Sequence, residues 1–183
     1  MARQAKIYPI VIYGDPVLDT YAAPVTKFDA ELKQLTEDMF ASMYAAHGVG
    51  LAAPQIGISK QIAVIDITFK EDPKSKIVLC NPEIIKKEGK QSGGEGCLSV
   101  PDFRENLTRA KKVTVRAQDV EGQWFELTGE DLLARAILHE TDHLHGKLYI
   151  SHLSALKRDL IKRKIKKLQK AGEWVYVPPA AKE

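Results

Sequence analysis

The chain has 183 residues and a mass of 20.4 kDa, with 27 Lys+Arg against 24 Asp+Glu for a formal charge of +3. That length suits one domain, and a chain this size can bury a full core without disulfide or metal staples. At 44% hydrophobic and 28% charged residues the composition excludes a disordered chain, a collagen-like chain and a disulfide-rich mini-protein. Only Cys80 and Cys97 carry thiols, which favours a reducing compartment. Pro9, Gly14, Asp15 and Pro16 interrupt any signal-peptide-like apolar run near the start. No stretch reaches the roughly 18 apolar residues of a membrane span. The expected location is cytoplasmic.

In chain order, the segment up to Asp29 reads as an irregular, Pro-rich arm. A first helix should follow with Asp29 as N-cap, its apolar face carrying Leu32, Leu35, Met39, Phe40 and Met43, and a stop near Gly48. Gly48–Gly57 (Gly-Val-Gly-Leu-Ala-Ala-Pro-Gln-Ile-Gly) is expected to be irregular backbone. β-type runs cover Gln61–Ile67, Ile77–Cys80, Val113–Val120 and Gln123–Leu127, the last two joined as a hairpin through Glu121-Gly122. Ser92–Pro101 is Gly-rich between the second and third runs. Thr128 with Asp131 marks a capping-box-like start for a second helix, which runs on to Leu144 and ends at Gly146. A basic helix is predicted from about Ser154 to Lys170, then a possible strand at Trp174–Val177 and a frayed tail over 178–183. The class is α+β, a single domain over residues 1–183 with mainly antiparallel sheets around helices.

The second helix carries His139-Glu140-Thr141-Asp142-His143, an H-E-x-x-H pattern. Four residues turn about 400°, so both imidazoles lie on one face and can share one metal ion. Glu140 is rotated about 100° away and can serve as general base. Leu132, Ala136, His139 and His143 form one stripe that should face inward. A catalytic metal wants a third ligand. Tyr149 stands where metzincins place a third histidine, and Asp159 and Glu173 are poor downstream candidates. Cys97, within Gly94-Glu95-Gly96-Cys97-Leu98-Ser99, is the remaining soft candidate, while Cys80 reads as packing. A buried core histidine pair is the plainer alternative.

Three segments together resemble the peptide deformylases, whose motifs are G-x-G-L-A-A-x-Q, E-G-C-L-S and H-E-x-D-H. The chain has Gly48-Val49-Gly50-Leu51-Ala52-Ala53-Pro54-Gln55, Glu95-Gly96-Cys97-Leu98-Ser99 and His139-Glu140-Thr141-Asp142-His143, in that order. The likeness extends over roughly residues 6–170. It implies a central metal-binding helix and hydrolysis of N-formyl-methionyl peptides to formate and a free amine. Cys97, His139 and His143 would bind one divalent metal, Fe(II) in the cell with zinc, nickel or cobalt able to replace it. Glu140 would move the proton. Gln55 and the Leu98 N–H would hold the oxyanion. Gly50, Val49 and Gly48 would line the substrate. Arg135 departs from a commonly apolar position and is expected at the mouth of the substrate pocket, and Asp19 departs from a commonly basic one. Glu95 and Asp142 would support the ligands.

Three other readings compete. A metallopeptidase shares the helix motif and Glu140. A nucleotide-binding loop is suggested by Gly48–Ala53, but that pattern follows a helix here and runs into Pro54. A basic binding module is suggested by Lys157–Lys170. That segment holds eight Lys or Arg against Asp159, a charge of +7 that leaves −4 elsewhere. Its apolar residues Leu156, Leu160, Ile161, Ile165 and Leu168 should form one packing stripe. It is either a solvated helix or a contact to the ribosome. A monomer is expected, since no exposed heptad is evident.

Overall fold

The computed structural model describes residues 3–179. Helix α1 (Ala30–Ala45) begins as expected, with the Asp29 side chain accepting from the Leu32 N–H. Strand β1 (Gly50–Ala52) follows, then a 3-10 turn over Ala53–Ile56, so the segment expected to be irregular is an ordered strand and turn. The reason lies in Gln55, whose Oε1 accepts from the Ala52 N–H and closes the turn on itself.

Strand β2 (Ile62–Ile65) pairs antiparallel with both β1 and β3 (Ile77–Glu88). The run expected to end at Cys80 is longer, although Pro82 within it cannot donate to a ladder. The strand instead continues through a bulge between Cys80 and Glu83. Asn81 takes φ +51° there, and its side chain ties Val25 and Gln118 together. Strands β4 (Gln91–Cys97) and β5 (Val100–Arg109) form a separate two-stranded hairpin. Sequence reasoning missed it because glycines dilute the β signal. The structure uses their space: a Cβ at Gly94 would stand 2.9 Å from the Arg104 Nε, and one at Gly93 would stand 3.4 Å from the Arg135 Nη2. Strands β6 (Lys112–Gln118) and β7 (Trp124–Glu130) make the expected hairpin and complete a five-stranded antiparallel sheet in the order β1-β2-β3-β6-β7.

Helix α2 (Asp131–Leu144) starts later than the capping box suggested. Thr128 is spent in β7 opposite Thr114, and Glu130 is the N-cap. The helix packs on β7, β1, β2 and β6, and Ile137 and Leu144 join the core of the large sheet. Its other side faces β4–β5. Leu132 departs from the expected inward stripe and is 48% exposed. Helix α3 (Ala155–Ala171) lies close to its expected bounds and is capped by Ser154 and Gly172. It buries Ile161 and Ile165 against Val100, Leu107, Tyr149 and Leu153. Leu156 and Leu160 are exposed, so the expected five-residue stripe narrows. Trp174–Val177 is not the expected strand: it has no regular structure, with the Val175 N–H bonded to the Glu173 carbonyl, and pairs with no strand among the described residues. Of the tail expected over 178–183, residues 180–183 lie outside the described residues.

Candidate active site

Three elements converge on one point. Cys97 ends β4, and His139 and His143 project one turn apart from α2. The Cys97 Sγ lies 3.3 Å from the His143 Nε2, which lies 3.2 Å from the His139 Nε2. Two imidazole nitrogens each about 2.0–2.1 Å from one tetrahedral ion would stand roughly 3.3 Å apart, so this spacing fits a metal. The donor set of one thiol and two imidazoles fits a soft or borderline divalent ion.

The ligand face is set from behind. The His139 Nδ1 contacts the Glu95 Oε2 at 2.9 Å, which leaves Nε2 toward Cys97 and His143. Glu95 is itself gripped by two guanidinium groups. Arg109 donates Nε at 3.1 Å and Nη2 at 2.7 Å, and Arg135 donates Nη1 at 2.9 Å. Burial alone would raise the Glu95 carboxyl, but hydrogen bonds from His139 and Arg109 overcome it and hold it well below the usual carboxylate range. Burial likewise pulls His139 down, yet the bonds to Cys97 and Glu95 win and raise it well above an ordinary histidine. His143, buried and beside that charge, is pushed down. The thiol of Cys97 and the Glu95 carboxylate thus favour positive charge beside them, which a bound cation can supply.

Arg109 carries the network outward. Its Nη1 donates to the Asp142 Oδ2 at 2.8 Å, and Asp142 in turn meets the His152 Nε2 at 2.8 Å. Asp142 thus reaches a ligand only through Arg109 and Glu95, not directly. The sequence reading missed Arg109. The available signal was its position two residues after Leu107 on the inward face of an alternating strand, where an arginine needs a buried partner. His145, two residues past His143, stacks on Tyr21 with ring centroids 5.0 Å apart.

Glu140 is buried against Gly50, where a Cβ would collide with its carboxyl group. Gly50 is required there for that close approach. Burial pushes the Glu140 carboxyl up to about 7, with the His139 charge opposing and Glu95 and Asp142 adding to it. Its Oε2 is buried without a hydrogen-bond partner among the described residues. A carboxyl near neutrality with a free oxygen is suited to accepting and returning a proton.

Besides the Ala52 N–H on its Oε1, Gln55 makes two contacts through its amide nitrogen, one of them to Ser99, which had no expected role. Its Nε2 donates to the Ser99 Oγ at 3.2 Å and lies 3.6 Å from the Cys97 Sγ. Gly48, Val49, Gly50, Leu98 and Arg135 all border the same cavity of about 500 Å³, which also contains Cys97, His139 and Glu140. Arg135 is not at the cavity mouth as expected: it is 8% exposed, with its Nη1 donating to Glu95 and the Leu107 carbonyl and its Nη2 buried without a hydrogen-bond partner among the described residues.

The family described as polypeptide deformylase matches residues 7–159. A peptide deformylase of Acidobacterium capsulatum is 63% identical over 168 residues, 92% of this chain and 99% of that protein. The crystal structure of a peptide deformylase from Legionella pneumophila superposes with a TM-score of 0.84 at 47% identity, covering 92% of this chain and 99% of the other. That from Thermus thermophilus gives 0.81 at 41% identity, covering 88% and 94%.

Proposed function

The chain belongs to the peptide deformylase family, and from that premise we propose that this cavity hydrolyses the formyl group from the N-terminus of formyl-methionyl peptides, releasing formate. The observation that carries the reading is the Cys97–His139–His143 cluster with the buried Glu140 beside it. Cys97, His139 and His143 would hold one divalent ion, which would supply Lewis acidity and lower the pKa of a water toward about 7. The residues do the rest. Glu140 accepts the proton of the attacking water and returns it to the leaving amine. The Gln55 amide and the Leu98 N–H stabilise the oxyanion, each donor worth on the order of 3 kcal/mol. Gly48, Val49 and Gly50 bind the substrate backbone. Arg135 acts through Glu95, which fixes the His139 ring. A formyl carbon bears only hydrogen, so a tight site can accept it and exclude larger acyl groups.

A thiolate donor suits a softer ion, and membership of the family implies Fe(II) in the cell, with zinc, nickel or cobalt as substitutes. The chain acts as one catalytic domain and as a monomer. Its substrates are nascent chains, which sets its location in the cytoplasm. The exposed basic face of α3, with Leu156 and Leu160 beside its lysines, supports a ribosome contact. No described helix is long and apolar enough to cross a membrane.

The test is formate release from formyl-Met-Ala-Ser. Wild type should be active, and Glu140→Ala should fall by about 10²- to 10⁴-fold while retaining its metal. An inactive, metal-loaded wild type would sink the reading.

A further inference from the structure

Substrate held by its formyl end must leave the catalytic cavity through the open rim, because the inner end is closed by His139, Glu140 and Gln55. That rim is apolar. Phe69, Leu132 and Val177 border the cavity while 47%, 48% and 38% exposed, and they come from three separate parts of the chain. Exposed apolar side chains gathered at one opening mark a binding surface.

One side of the opening is made by the segment after α3. Gly172 takes φ +70°, and the Glu173 N–H bonds to the Leu168 carbonyl, which turns the chain off the helix end. The next residues then alternate. Trp174 and Tyr176 are half-buried, and Val175 and Val177 are exposed. No ladder holds this segment; its side chains do. The Trp174 Nε1 donates to the Tyr13 carbonyl at 2.9 Å, with its ring 6.2 Å from Phe103. Tyr176 packs on the core that includes Met43 and Leu51. Tyr176, Val177 and Pro179 are thereby brought to the cavity.

We propose that the segment Trp174–Pro179 is the outer wall of the peptide-binding groove, and that Tyr176 and Val177 contact substrate side chains beyond the formyl-methionyl residue, favouring apolar ones. The proposal rests on the deformylase reading. These contacts lie away from the reacting atoms, so they act alike on bound substrate and transition state and appear in KM rather than kcat.

The test compares two substrates in the full chain, formyl-Met-Ala-Ser and formyl-Met-Leu-Phe. Wild type should favour the second in kcat/KM. Val177→Asp and Tyr176→Ala should each lower that preference by about tenfold, the scale for losing apolar contacts in a pocket. The change should come through KM for formyl-Met-Leu-Phe. Val177 is exposed, so its variants keep the Trp174 anchor and the fold, and Val177→Ile should restore the preference. A preference unmoved in both variants, with wild type active, overturns the wall. A wild type that releases formate from neither peptide overturns the deformylase reading instead.

Discussion

Helices α2 and α3 are of similar length, and each presents a stripe of apolar residues, yet they do opposite work. From Ala134 to Leu144, α2 is buried except at Asp142. α3 buries Ile161 and Ile165 and leaves its lysines in water. In α2, His139 has a chain of partners behind it, with Glu95 on His139, two arginines on Glu95, and Asp142 on Arg109, whereas the His143 Nδ1 is buried without a hydrogen-bond partner among the described residues. In α3 the charges meet mostly solvent, and the Lys157–Glu105 pair is exposed. Secondary structure is common to both. Burial decides which helix fixes a geometry and which offers a surface.

That contrast can be broken by substitution, and the largest effect belongs to the ligand cluster. Cys97→Ala should lose the metal and reduce formate release to background, checked by elemental analysis beside the assay. Full metal retention would return the site to a metallopeptidase-like arrangement. Iron-loaded wild type should lose activity in air faster than the nickel form, because a thiolate beside iron is open to oxidation. Equal losses would count against iron chemistry at Cys97.

Glu95→Ala should cost about 3–5 kcal/mol in urea unfolding, since it strands two buried arginines. The sign with pH follows from its depressed pKa in the fold. Stability from Glu95 is complete above the unfolded value of 4.5 and is lost as pH falls below it. The gap between metal-free wild type and Glu95→Gln should therefore narrow on acidification, and a constant gap would remove Glu95 as its source.

Effects in α3 should be smaller and separable from catalysis. Ile165→Ala should cost about 2–4 kcal/mol with kcat unchanged, because Ile165 is fully buried but remote from the cavity lining. Lys157→Ala should cost below about 1 kcal/mol, as an exposed ion pair does. Reversing Lys162, Arg163 and Lys166 should leave kinetic constants intact and weaken ribosome co-sedimentation. Unchanged co-sedimentation would reduce α3 to a solvated face.

Both helices were legible in the sequence because their signals are local. The third helix runs close to its expected bounds, and the H-E-x-x-H spacing alone put two imidazoles on one face of α2, although α2 starts after the expected Thr128. The β4–β5 hairpin was not legible, because its glycines give way to arginines that arrive from elsewhere. Arg109 was equally hidden, since a strand residue does not announce a partner 14 positions back and another 33 positions on.

What the sequence determined by itself was the chemistry: two imidazoles, a thiol and a carboxylate in spacings that a helix and a Gly-rich turn can present. What the tertiary structure decided was how that chemistry is held. The Glu95–Arg109–Asp142 chain, Arg135 turned inward, and the segment after α3 laid along the cavity rim all depend on packing between distant parts of the chain. Hydrogen bonds between side chains buried from different strands and helices have no local pattern, so only the folded arrangement reveals them.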